Sequence, residues 1–143
     1  ANYYRYKREQ DERINAQRAG PNYLPQPGQS LEAARNAFLA GRDEEALSLL
    51  SRHLQTSPQS HEAHFLMGRI YERRGDFDRA INALKAAVFW NPKLIAAHVL
   101  LGRIAVLKND CQSARNSLDR ALRIEPADQD AQALKRLIDE RCK

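Results

Sequence analysis

Residues 61–94 read HEAHFLMGRIYERRGDFDRAINALKAAVFWNPKL, and this stretch decides the fold because its grammar returns on both sides of it. Within it, Phe65, Leu66, Met67, Ile70 and Tyr71 recur at helical spacing and wrap more than one face. A helix with neighbours on two sides needs that pattern. Gly75 stops this first helix, expected over Glu62 to Arg74. Asp76 or Asp78 then caps a second, Phe77 to Trp90, with Ala80, Ile81, Leu84, Ala87 and Val88 three and four residues apart. Asn91-Pro92 closes it, since proline biases the preceding residue away from helix.

Sliding the chain by 34 residues superposes Pro58, Pro92 and Pro126. The same shift aligns Ala46 with Ala80 and Ala114, Leu50 with Leu84 and Leu118, and Gly68 with Gly102. Gly41, Gly75 and Asn109 also coincide, and these residue types tolerate the left-handed backbone that ends a helix. A fixed period of this length predicts stacked helix hairpins. Small residues at Gly68 and Ala80 let the paired helices approach closely.

The pattern resembles the tetratricopeptide repeat family. The middle unit, 61–94, supplies Gly68, Tyr71, Gly75, Ala80, Leu84, Ala87 and Pro92. The third, 95–128, supplies Leu101, Gly102, Ala114, Leu118, Ala121 and Pro126, with Ala105 where the family favours tyrosine. The first, 27–60, departs most, carrying Ser30 at the large apolar position, Ala34 for glycine and His53 for a small residue. A last helix, Gln129 to Arg141 within 129–143, places Ala131, Leu134, Leu137 and Ile138 on one side and reads as the cap such arrays need.

The resemblance implies an all-α fold, a right-handed superhelix of three hairpins plus a C-terminal capping helix. It also implies a non-catalytic protein-interaction module that binds a peptide or helix in a concave groove lined by the first helix of each pair. Carried onto this chain, that groove takes Leu31, Phe65 and Val99 at one repeat position and Arg35, Arg69 and Arg103 at another. Phe38, Glu72 and Val106 follow one turn on, with Arg73 beside them. An apolar floor under a row of guanidinium groups suits a partner with acidic and apolar residues. The plainer reading is that these arginines are solvated and satisfied by carboxylates such as Glu32 or Glu72. The carboxylate-clamp version of the family, which grips chaperone C-termini, uses lysines and asparagines where this chain has Leu31, Leu66, Ala96 and Leu100. A chaperone-tail receptor is therefore not expected.

Two narrower readings stand beside this one. Residues 61–68 and 87–98 are similar to the repeats that follow the catalytic domain of bacterial chemotaxis-type receptor methyltransferases. That similarity implies the regulatory tail of an S-adenosylmethionine-dependent enzyme. The other reading is a membrane-tethered assembly scaffold in secretion or envelope biogenesis.

Composition narrows the alternatives. The net charge is +5, yet residues 1–26 hold five basic and three acidic side chains and the rest are interleaved, with no polybasic block. Nucleic-acid binding needs a concentrated basic face and is not expected. The longest apolar stretch, Leu94 to Leu107, is broken by His98, Gly102 and Arg103, so no bilayer span is predicted. No phosphate loop, nucleophile elbow or carboxylate pair gives a reaction or a cofactor residues to act through, so no enzyme activity and no cofactor are predicted for this segment. His61 and His64 are half of a metal site at most, and packing is the better account of them. Trp90 is expected to cover a helix end between units.

Cys111 and Cys142 fit no metal-ligand spacing, and so few cysteines suggest a reducing, cytoplasmic location, or a periplasmic one if an anchor lies upstream. Cys142 could cross-link two copies, and self-association through terminal helices is open. Because the chain begins at Ala1 rather than Met, an upstream domain or anchor is expected. The N-terminal segment alternates Tyr3, Tyr4 and Tyr6 with Arg5, Lys7 and Arg8, then offers a polar helix from Glu9 to Arg18 and a linker from Asn22 to Gln29. Three roles are open for it: a join to an upstream domain, a segment following a membrane anchor, or a strap that docks into a groove.

Overall fold

The computed structural model describes residues 2–19 and 27–143. Among them there are eight helices and no strand, so the chain is all-α. Contacts divide it into two units, residues 1–58 and 59–143. Most of the linker expected between Asn22 and Gln29 lies outside the described residues, and the part from Pro27 onward is already helical.

The first unit holds α1 (Asn2–Ala19), α2 (Pro27–Leu39) and α3 (Asp43–Thr56). α2 and α3 pair as a hairpin through a turn in which Gly41 takes φ +76°, the left-handed region that a Cβ disfavours. Ala34, Ala37, Phe38, Ala46 and Leu50 are buried between them. The departures that set this unit apart from its neighbours fit the core: Ser30 and His53 are also buried. α1 starts at Asn2, earlier than the polar helix expected from Glu9, and charge holds it to its own unit. Arg8 pairs with Glu32 of α2 at 2.5 Å, and Glu9 accepts from Arg42 at 2.5 Å. The bond to Glu9 raises the pKa of the Arg42 guanidinium.

The second unit holds α4 (His61–Arg73), α5 (Phe77–Trp90), α6 (Ile95–Leu107), α7 (Cys111–Ile124) and α8 (Gln129–Arg141). α4 pairs with α5 and α6 with α7, while α8 packs on α6 and α7 as the capping helix was expected to do. Side-chain oxygens satisfy orphan N–H groups at four starts. Ser60 accepts from Ala63, Asp76 from Arg79, Asp110 from Ser113 and Asp128 from Ala131, at 2.9–3.4 Å. Asp76, not Asp78, is thus the cap of α5. Asn109 has φ +60° where the preceding repeat has Gly75 at +77°.

Close helix approach rests on Gly68 and Gly102. A Cβ at Gly68 would meet Leu84 Cγ at 2.6 Å, and one at Gly102 would meet Leu134 Cδ2 at 2.5 Å. Leu84 and Leu134 are among the most deeply buried side chains, with Ile70 and Ile104. Each such burial contributes about 1.5–3 kcal/mol before conformational entropy is charged against it.

The cysteines correct the sequence reading. Cys111, the first residue of α7, is disulfide-bonded to Cys142, which ends α8, with Cα atoms 5.8 Å apart. Cys142 is therefore committed within the chain and does not link copies. Arg115 donates to the Cys142 carbonyl at 2.7 Å, adding a second tie at the same helix end.

Candidate functional site

The expected site residues fall on α2, α4 and α6. In the first unit, Arg35 is exposed and Leu31 half-buried, whereas Phe38 is 6% exposed and belongs to the α2/α3 core. So little of Phe38 is open that it offers a partner almost no surface.

In the second unit, spacing on α4 places Phe65 and Arg69 one turn apart. The Arg69 guanidinium carbon lies 5.9 Å from the Phe65 ring centroid, a cation-π contact. Phe65 is half-buried against the core and Glu72 half-buried beyond it, while Arg69 and Arg73 are exposed. On α6 the equivalent positions behave differently. Arg103 is exposed and forms no hydrogen bond or ion pair with the described residues, but Val99 and Val106 are 5% and 4% exposed. They sit in one cluster with Ala131, Leu134 and Ile138 of α8, so the cap covers them. The repeat position is the same; the neighbour is not.

His98 is buried in the core, its Nε2 2.8 Å from the Pro92 carbonyl, and His64 is half-buried. Among the described residues no three His, Cys, Asp or Glu side chains are grouped to hold a metal. No described helix is long and apolar enough to cross a membrane. Trp90 is 48% exposed and meets Phe89 edge to face at 5.0 Å.

The sequence did not single out a depression of about 270 Å³ formed by α5, α6 and α7. Ile81, Val88 and Leu101 contribute apolar surface to it, and Lys85, Lys108 and Arg120 contribute cations. The available signal was a scatter of cations, Lys85 and Arg120 on second helices but at different repeat positions, which looks like an ordinary solvated face until the helices are stacked.

The tetratricopeptide repeat model matches residues 37–93 and 73–138. No curated protein matches. Solved structures of similar fold include the Arabidopsis OM64 TPR domain, with 13% identity and a TM-score of 0.75 over 80% of this chain and 94% of that one. Another is the first TPR of Spaghetti (RPAP3) bound to the HSP90 peptide SRMEEVD, with 19% identity and a TM-score of 0.74 over 82% and 96%. YrrB, a TPR protein with an unusual peptide-binding site, aligns with 21% identity and a TM-score of 0.71 over 79% and 58%. None of these matches supports the receptor-methyltransferase wording of residues 61–68 and 87–98.

Proposed function

The chain belongs to the tetratricopeptide repeat family, and on that premise we propose that it is a non-catalytic module that docks a partner's peptide or helix on the face of α4 and α6. One observation carries this reading. The Phe65 ring, partly open to solvent, lies under the Arg69 guanidinium, and Arg103 stands exposed at the equivalent position of the next repeat. A segment offering carboxylates to the arginines and an apolar side chain to Phe65 fits that surface. Leu31 and Arg35 stand at the equivalent repeat positions of the first unit, and Glu72 and Arg73 follow on α4.

The occupant is an internal acidic segment rather than a free C-terminus. Leu66 and Leu100, which stand where a terminal-carboxylate clamp needs polar groups, are buried at 8% and 7% exposure. The test is Arg69→Glu with Arg103→Glu, checked for an intact fold by circular dichroism, and quantitative capture of partners from the native host. Loss of the partners recovered by the parent chain is expected. An unchanged partner set on a folded variant rejects the reading.

We propose also that the module works in an oxidising compartment, which favours the second of the two locations left open by the sequence. The Cys111–Cys142 bond is the support, since such bonds persist where thiol reductants do not dominate. Of the two narrower readings, it favours the tethered envelope scaffold. Alkylation of the protein as isolated from its host, followed by mass measurement, checks this; two alkylated cysteines would reverse it.

A further inference from the structure

The depression on α5, α6 and α7 does not stand alone. A second one, of about 300 Å³, shares Val88 and Arg120 with it and extends it toward Pro92 and Ile124. The two make one mixed track within the second unit, in which Ile81, Leu101, Val88 and Ile124 supply apolar surface and Ser113, Asn116 and Ser117 polar surface between the cations.

Charge along the track is one-sided. Lys85, Lys108, Arg120 and Arg123 line it, against the single carboxylate of Asp110. That carboxylate is already engaged: it caps α7, accepting the Ser113 N–H at 3.2 Å and the Ser113 hydroxyl at 2.7 Å, which hold its pKa below the usual range. Lys108 is paired with Asp78 at 2.6 Å and Arg123 with Asp119 at 3.0 Å. Lys85 and Arg120 form no hydrogen bond or ion pair with the described residues. Phe89, one turn beyond Lys85 on α5, remains 72% exposed beside Trp90. Exposed apolar surface that is contiguous and rimmed by polar side chains marks interaction sites.

We infer that the α5/α7 side of the second unit is a second docking surface, separate from the α4/α6 face, and that it takes an acidic amphipathic segment of another protein. Apolar side chains of that segment lie along Val88 and Leu101, and its carboxylates reach Lys85 and Arg120. Phe89 extends the apolar contact beyond the depression. The apolar floor favours such a segment over a nucleic-acid backbone, which would need cations without a hydrophobic strip.

The experiment titrates the oxidised, isotope-labelled chain with a synthetic amphipathic helix of leucines and glutamates, about 14 residues or four turns long, and follows backbone amide shifts. Saturable shifts within residues 81–89 and 113–124 are expected. Lys85→Glu with Arg120→Glu should weaken binding by about tenfold or more, as loss of two charge-assisted contacts implies. Arg69→Glu with Arg103→Glu should leave this binding in place, so failure here and failure of the α4/α6 reading are separable. Shifts confined to residues 62–73 would overturn the inference, as would no saturable shift at all. Equal binding of a lysine-for-glutamate peptide, or tighter binding of oligothymidylate at the same amides, would overturn it too.

Discussion

Cys111 and Cys142 join the start of α7 to the end of α8, closing the capping helix onto the hairpin that it covers. The bond spans 31 residues of sequence, and chain-entropy arguments assign a loop of that size about 3–4 kcal/mol of stabilisation through the unfolded state. Reduction, or Cys111→Ser, should therefore lower the denaturation midpoint of the second unit. Amides of α8 should exchange faster, since α8 is the element freed. Identical midpoints for oxidised and reduced protein would show that packing of Leu134 and Ile138 alone holds the cap.

Gly68 offers a sharper test of helix packing. Alanine is the better helix former by about 1 kcal/mol, yet its Cβ would sit 2.6 Å from Leu84 Cγ in a fully buried contact. Overpacking typically costs about 1–3 kcal/mol, so Gly68→Ala should be net destabilising in urea unfolding, and Gly68→Val more so. A stabilised Gly68→Ala chain would mean that Leu84 can move aside without loss.

At Asn109 the sign reverses. Its φ of +60° is the conformation that Gly41 and Gly75 adopt at the same point of the earlier repeats. Asn109→Gly should be tolerated to within about 1 kcal/mol, whereas Asn109→Val should cost about 1–2 kcal/mol through left-handed strain. Thermal melts of the two variants decide it; similar melting temperatures would contradict the strain argument.

Docking of α1 should depend on pH. Burial is the main cause raising the Glu12 pKa, the Arg8 guanidinium opposes it, and the charges of Glu32, Glu9 and Glu45 add to it. A carboxyl whose folded value lies above its unfolded value favours the folded state when protonated and withdraws that support as pH rises through the raised value. Glu12→Gln should therefore slow amide exchange in α1 at neutral pH and flatten its response to mild acid. Faster exchange in the glutamine variant at neutral pH would contradict this account.

The sequence by itself determined the elements. Proline, glycine and alanine recurrences set α4 and α5 to within about a residue at each end, because turn and close-packing chemistry is local and repeats with the period. It also determined the family and the surface exposure of Arg35, Arg69 and Arg103, since a helical period separates outward positions from inward ones. Tertiary structure decided what no period encodes. Val99 and Phe65 share a repeat position, yet α8 buries Val99 while Phe65 remains partly open. Cys111 and Cys142 are far apart in sequence, and only the packing of α8 on α7 brings their Cα atoms to 5.8 Å. Lys85 and Arg120 look like solvated cations on separate helices until stacking sets them around one depression. The physical reason is common to all three: a repeat position fixes which way a side chain points, while its neighbours depend on which helix comes next.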